Sequence, residues 1–324
     1  MTGRQDDKMT QRILSSCHLV TVIEGSGYVA ADNLQSRLLA LYDALSAHFA
    51  HEPHWWPIVS DTPQFEMLIG AVLVQQTRWE TVEAAVVRLR DAGLLDPRAL
   101  AAVDTPALAA LIRPCAFHMQ KAPGLQAICR YLVERYAGDM TALLAQARAP
   151  LRAELLALPR IGRETADAIM LFAGGHPVFI VDAYARRLLA RLDLAPGFDF
   201  ARARYDAVQD LIEGALADPI TDCRLQIADF VLPIPKPQSP IANFYRNFHA
   251  LIVEECIHHC LATRPRQDRP GVRRVFVDPR KCAGHCLDCR GCPLRAMCVQ
   301  YGRPTKDEGR RTKDEGRPTT DDRR

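Results

Sequence analysis

Long apolar runs are absent from this chain of 324 residues. No stretch approaches the roughly 18 apolar residues that a membrane-spanning helix needs, so no membrane role is expected. Secretory and lipidation signals are lacking as well, and the protein is expected in a reducing cytoplasm. Strong net charge is missing: a balance of +3 is too mild to indicate nucleic acid by itself. Alternating apolar and polar residues are scarce, which argues against a sheet protein. Residues 303–324 contain no large apolar side chain and repeat Thr-Lys-Asp-Glu-Gly-Arg at 305–310 and 312–317. Such a segment cannot bury enough surface to order itself, and a disordered charged tail is expected there.

What is present points to a helical protein. The length allows about two domains. With 48% hydrophobic residues the chain can bury a sizeable core. Leu34, Leu38, Leu41, Leu45 and Phe49 fall on one face of a helix, with Asp32 or Asn33 as its cap. Thr105-Pro106 reads as a cap followed by proline at the first helical position. Ala, Leu, Glu and Arg, all good helix formers, dominate between residues 34 and 302. An all-α fold is therefore expected. Residues 1–33, with one β-like run from His18 to Ile23, form an extension of no assigned role.

Cysteine is plentiful and clustered. Cys282, Cys289, Cys292 and Cys298 follow the spacing Cys-x6-Cys-x2-Cys-x5-Cys, with Cys286 as an extra. Four thiolates in one short loop suit a 4Fe–4S cluster or a structural zinc. Zinc ribbons place two Cys-x2-Cys knuckles well apart, and here one knuckle is flanked by single cysteines. A disulfide set is disfavoured, because the total of 11 cysteines is odd and no signal peptide precedes them. Cys260, followed by Leu-Ala-Thr-Arg-Pro-Arg, competes with Cys282 as first ligand, but only Cys282 keeps the full spacing. Residues 263–281 carry seven Arg or Lys against two Asp, a run that could face phosphates or simply solvent.

Four further segments carry chemistry. Leu158-Pro159-Arg160-Ile161-Gly162-Arg163-Glu164-Thr165-Ala166 joins two helical stretches. A tight turn at a helix mouth aims amides outward, where they can hold an anion such as a DNA phosphate. Phe179-Ile180-Val181-Asp182 is an apolar run ending in a carboxylate, and Asp182 could equally cap the helix that follows. Leu73-Val74-Gln75-Gln76-Thr77 and Trp55-Trp56-Pro57 complete the set.

Together these motifs resemble the HhH-GPD superfamily of DNA glycosylases, within its endonuclease III-like group. Residues 158–166 match that superfamily's helix-hairpin-helix pattern, with Arg160 in place of its first glycine. The cysteine spacing is similar to that group's 4Fe–4S loop. Trp55-Trp56-Pro57, the segment from Phe65 to Ala71 and the segment from Ile112 to Ala122 resemble the 3-methyladenine glycosylase branch. The resemblance implies two helical lobes with a cleft between them, forming one glycosylase core over 34–302. A central lobe would run over about 65–171, and a second would combine 34–64 with 178–302, including the cluster loop 282–298.

It also implies roles. Asp182 would be the catalytic carboxylate, and Gln75 would fill the gap left by an extruded base. Arg160, Gly162, Arg163 and Thr165 would meet DNA, while Trp55, Trp56 and Phe65 would line the base pocket. The 4Fe–4S cluster would sit on Cys282, Cys289, Cys292 and Cys298. Members that also cut the strand carry a lysine where this chain has Glu164, and a carboxylate cannot form a Schiff base. Lys121 is then the other amine to weigh. The implied activity is monofunctional removal of a damaged base, such as 3-methyladenine, from double-stranded DNA by a monomer. Two alternatives stay open: a glycosylase and AP lyase for oxidised or mismatched bases, and a non-catalytic damage-binding iron–sulfur protein.

Overall fold

The computed structural model describes residues 34–49, 58–217, 239–260, 263–264, 275–276 and 291–299. Trp55, Trp56, Cys282 and Cys289 lie outside the described residues, as do 1–33, most of the basic run 263–281 and the tail 303–324. The helices are α1 (Leu34–His48), α2 (Pro63–Leu73), α3 (Trp79–Asp91), α4 (Pro97–Ala102), α5 (Thr105–Leu111) and α6 (His118–Tyr136). They continue as α7 (Met140–Leu144), α8 (Arg148–Leu156), α9 (Arg163–Ala168), α10 (Ala183–Leu192), α11 (Tyr205–Ala215) and α12 (Pro240–His258). Strand pairing among the described residues is limited to Thr263 with Phe276 and Arg264 with Val275. The fold is all-α, as expected. No helix among the described residues is long and apolar enough to cross a membrane.

The chain divides into two compact units. Among the described residues the first holds 34–35, 58–182, 204–217 and 239–250, and the second holds 36–49, 183–203, 251–260, the two short strands and 291–299. In the first unit α2 is the centre. Every residue from Phe65 to Leu73 is buried, including Glu66, whose carboxylate accepts from the Val59 amide at 3.0 Å and the Ser60 hydroxyl at 2.6 Å. The helices α4 and α5 pack on α6, and α3 packs on α2.

The caps differ from expectation at one point. Asp104, not Thr105, caps α5: its carboxylate accepts from the amide of Ala107 at 3.2 Å. The ionised carboxylate is the stronger acceptor for a helix N-terminus. Thr105 is instead the first helical residue, and its hydroxyl donates to Gln126 Oε1 at 2.6 Å. Asp96 caps α4 in the same way as Asp104 caps α5, with proline directly after Asp96 and one residue further on after Asp104.

The helix that follows the hairpin also changes character. After Ala168 the chain widens into a π-helical turn, Ile169–Ala173, all of it buried. Arg246 of α12 donates to the carbonyls of Leu171 at 2.9 Å and Phe172 at 3.0 Å. A buried cation thus satisfies carbonyls at this irregular turn. Burial holds the Arg246 guanidinium down at about 10, still protonated at neutral pH.

In the second unit α1 buries Leu38, Leu41 and Leu45, the apolar face anticipated from their spacing. Arg37 donates to the carbonyl of Leu194 at 3.3 Å.

Candidate functional site

Three loops of the first unit meet at one surface: 74–78 after α2, 112–117 before α6, and the hairpin 157–162 between α8 and α9. Their contacts are mostly side chain to backbone. Gln75 donates from Nε2 to the carbonyl of Arg160 at 2.8 Å and to Thr165 Oγ1 at 3.0 Å. The Thr77 hydroxyl accepts from the amide of Ala116 at 3.0 Å. Arg160 Nη1 reaches Gln120 Oε1 at 3.4 Å.

Lys121 holds this arrangement from beneath. It is fully buried, and its ammonium donates to the carbonyls of Leu73 and Gln75, each at 2.7 Å, and to Thr77 Oγ1 at 3.3 Å. All three N–H bonds are therefore matched. Two of the acceptors lie at and just beyond the C-terminal end of α2, where backbone carbonyls lack helical partners and favour a cation. Burial lowers the Lys121 pKa, while the Cys115 thiol acts against that shift. An amine bound on all sides is a positioning cation rather than a nucleophile. Lys121→Met is expected to lower the unfolding free energy by about 2–3 kcal/mol, since it strips charged donors from buried carbonyls. Chemical denaturation measures this directly.

Backbone strain collects on the same surface. Gln76, Phe117 and Arg160 have φ of 56°, 58° and 64°, in the left-handed region that costs a side-chain-bearing residue about 1 kcal/mol or more. They are three of the five such residues other than glycine among the described residues. Arg160 stands where the hairpin pattern has glycine and adopts the conformation that glycine would take. The stem of Arg160 lies against α6 at Gly124, where a methyl group would come within 2.5 Å of Arg160 Cγ. Phe117 is half exposed at 50%, a missed feature that the sequence signals only as an aromatic in a turn.

The predicted residues separate into distinct places. Gly162 is the N-cap of α9, with open space where a Cβ would stand. Arg163 is exposed and lies 3.3 Å from Asp206. Glu164 occupies the first turn of α9 and is exposed. Thr165 is buried, its hydroxyl facing Gln75. Phe65 is buried within α2. Asp182 ends the run 178–182, in which every residue is buried, and is itself 6% exposed.

Comparison with known proteins places this geometry. A profile of the HhH-GPD superfamily of base excision DNA repair proteins matches residues 69–213, from α2 through the hairpin and Asp182 to α11. A Methanocaldococcus jannaschii protein named as a DNA repair glycosylase is 31% identical over 230 residues, covering 71% of this chain and 91% of its own length. The chain belongs to the HhH-GPD superfamily. It is a base excision DNA glycosylase. Endonuclease III of Thermotoga maritima is 31% identical over 211 residues, covering 64% of this chain and 86% of that protein. Among solved structures, the H. pylori 3-methyladenine DNA glycosylase bound to 1,N6-ethenoadenine superposes with a TM-score of 0.54. The two are 26% identical, with 69% of this chain and 95% of that one covered. An endonuclease III–DNA complex has the same fold, with a TM-score of 0.54 at 22% identity and coverage of 82% and 95%.

The second unit gathers thiols at the end of α12. Arg191 Nη1 donates to Cys260 Sγ at 3.0 Å, and Arg187 Nε donates to the Cys260 carbonyl at 2.7 Å. The Cys256 thiol bonded to Cys260 lowers the Cys260 pKa against burial, and the two guanidiniums act in the same direction as Cys256. Cys292 donates to Glu255 at 3.2 Å. Burial, reinforced by Glu255, raises the Cys292 pKa. Burial pushes the Glu255 carboxyl up to about 8, with Cys260 acting in the same direction, and Cys298 adds to the rise at Cys292. As they stand, no three His, Cys, Asp or Glu among the described residues are arranged to hold a metal ion. The donor chemistry nevertheless fits an iron–sulfur centre: soft sulfur ligands beside buried guanidiniums that offset thiolate charge.

Proposed function

We propose that this protein is a monofunctional DNA glycosylase that removes an alkylated purine, such as 3-methyladenine, from double-stranded DNA. The observation that carries the reading is Asp182, buried at the end of the segment 178–182 in the same compact unit as the hairpin. A stacked base cannot be attacked, so it is first extruded at a cost of a few kcal/mol, least for damaged bases. Cleavage of the N-glycosidic bond builds positive charge on the sugar. The Asp182 carboxylate opposes that charge and orients or deprotonates the attacking water. Likeness to the H. pylori enzyme supports the alkylpurine assignment. An N-alkylated purine is cationic, and an electron-rich aromatic face attracts it by about 0.5–2 kcal/mol. Trp55, Trp56 and Phe65 are proposed for that pocket.

Likeness to endonuclease III favours a second reading, a glycosylase that also cuts the strand. Glu164 at the lysine position and the fully bonded Lys121 weigh against it. Sodium borohydride is expected to trap no enzyme–DNA adduct. An adduct mapping to a lysine would establish the lyase reading instead.

The hairpin amides after Gly162, with Arg160 and Arg163, are proposed to hold phosphates, Gln75 to act at the gap left by the base, and Phe117 to contact the duplex. Affinity is then expected to fall with salt with a log–log slope of about −3, for roughly three neutralised phosphates. Arg163→Ala is expected to reduce that slope by about one without changing lesion preference. A slope unchanged in Arg163→Ala removes this arginine from the interface. Gln75→Ala is expected to weaken both lesion affinity and base release.

A 4Fe–4S cluster is proposed in the second unit, on Cys289, Cys292 and Cys298 with one further cysteine. Spacing favours Cys282 for that place. The Cys260 amide bonds the Glu255 carbonyl at 2.9 Å, and the Glu255 carboxylate accepts from Cys292, which supports Cys260 instead, and we adopt it. When bound, the group supplies thiolate cross-linking of the loop and no part of the hydrolysis.

A further inference from the structure

The run Val178–Asp182 lies outside any helix, every residue of it is buried, and it has no sheet neighbour among the described residues. Its backbone groups must still be paired, because a buried amide or carbonyl without a partner is costly. The partners come from one face of α11. Tyr205, Gln209 and Glu213 stand at successive fourth positions, which share a helix face. The amide of Phe179 donates to Glu213 Oε1 at 2.8 Å, its carbonyl accepts from Gln209 Nε2 at 2.7 Å, and the amide of Val181 donates to the Tyr205 hydroxyl at 3.2 Å. Arg148 adds a bond from Nη1 to the carbonyl of Pro177 at 2.9 Å and pairs with Glu213 at 2.7 Å.

The same face reaches the hairpin helix. Asp167 of α9 is fully buried and accepts from Arg152 Nε at 2.7 Å, Arg152 Nη2 at 3.1 Å and Gln209 Nε2 at 2.8 Å. The Tyr205 hydroxyl also bonds Asp167. Burial, with Asp167 nearby, raises the Tyr205 pKa, so its O–H stays protonated and donates to Asp167 while accepting from Val181. Gln209 therefore bonds both the segment that ends in Asp182 and the helix whose N-terminus is proposed to hold phosphate. Tyr205, Gln209 and Glu213 are not among the residues proposed to touch DNA.

We propose that Tyr205, Gln209 and Glu213 are positioning residues, which fix the Asp182 carboxylate relative to the hairpin helix α9. The inference rests on the glycosylase reading and goes beyond it by naming what sets the geometry of the reacting group. Hydrogen bonds in such a network polarise one another, and loss of one loosens the rest.

The test is a double-mutant cycle with single-turnover base release and lesion-duplex Kd as readouts. Tyr205→Phe is expected to slow release about tenfold, below the ~10²-fold that a 1 Å misplacement can cost. Its Kd should stay within about twofold of wild type, since no ligand contact is lost. In an Asp182→Asn background the same change should alter the residual rate by less than about twofold, because it acts only through Asp182. Gln209→Met should repeat this pattern if Tyr205→Phe folds poorly. Glu213→Gln, which keeps an acceptor for Phe179, should retain a rate within about threefold of wild type, whereas Glu213→Leu should not. Wild-type rates in Tyr205→Phe and Gln209→Met would overturn the inference, as would a tenfold loss that persists without the Asp182 carboxylate. Wild-type protein that releases no base would overturn the glycosylase reading itself, a distinct result.

Discussion

Asp182→Asn is expected to cut base release by about 10²–10³, the usual cost of losing one preorganised electrostatic element. Lesion-duplex affinity should hold within about twofold, because the swap keeps the side chain's shape and one acceptor oxygen. The argument is one of charge. The amide that replaces the carboxylate still fills the end of the run 178–182, where Asp182 is buried. It cannot oppose a developing sugar cation, and it cannot accept a proton from water. Glu164→Gln should cost far less, since Glu164 is an exposed first-turn acid with no covalent step assigned to it. Single-turnover kinetics on a lesion-bearing duplex separate the two variants. Full activity in Asp182→Asn would remove this residue from the chemistry.

The second large effect concerns iron. Cys292→Ala and Cys260→Ala are each expected to yield protein that has lost most of its iron, from about four atoms per chain, and its brown colour. Cys292 donates to the Glu255 carboxylate at 3.2 Å, and the Cys260 amide donates to the Glu255 carbonyl at 2.9 Å. Cys282→Ala should keep iron and colour. The reverse pattern, iron lost with Cys282 and kept with Cys260, would restore the ligand set that spacing alone suggests. Colourless wild-type protein with stoichiometric zinc would eliminate the cluster. Iron analysis and the visible absorption band decide this without any activity measurement.

Much of the fold was legible because it depends on local periodicity. The face of α1 is buried at Leu38, Leu41 and Leu45, as their spacing requires. The hairpin pattern located α9, and the apolar run before Asp182 located a buried segment. What stayed hidden depends on distant partners. Lys121 reads as an ordinary helical lysine until the carbonyls of Leu73 and Gln75, more than forty residues upstream, are seen around it. Gln75 reads as a residue poised toward DNA, yet here its amide is tied to Arg160 and Thr165. Tyr205, Gln209 and Glu213 carry no motif, and the role proposed for them emerges only once the buried run 178–182 is seen to have no sheet neighbour among the described residues. The cap at Asp104 was misread for a local reason: Thr105-Pro106 is a good capping pair, and the stronger acceptor lay one residue earlier.

One measurement tests the central claim most directly. Wild-type protein is incubated with a duplex containing a single N3-methyladenine, and free base and strand length are scored in the same reaction. The account predicts stoichiometric release of 3-methyladenine and a full-length strand carrying an alkali-labile abasic site. Absence of free base, or strand scission without alkali, would contradict it.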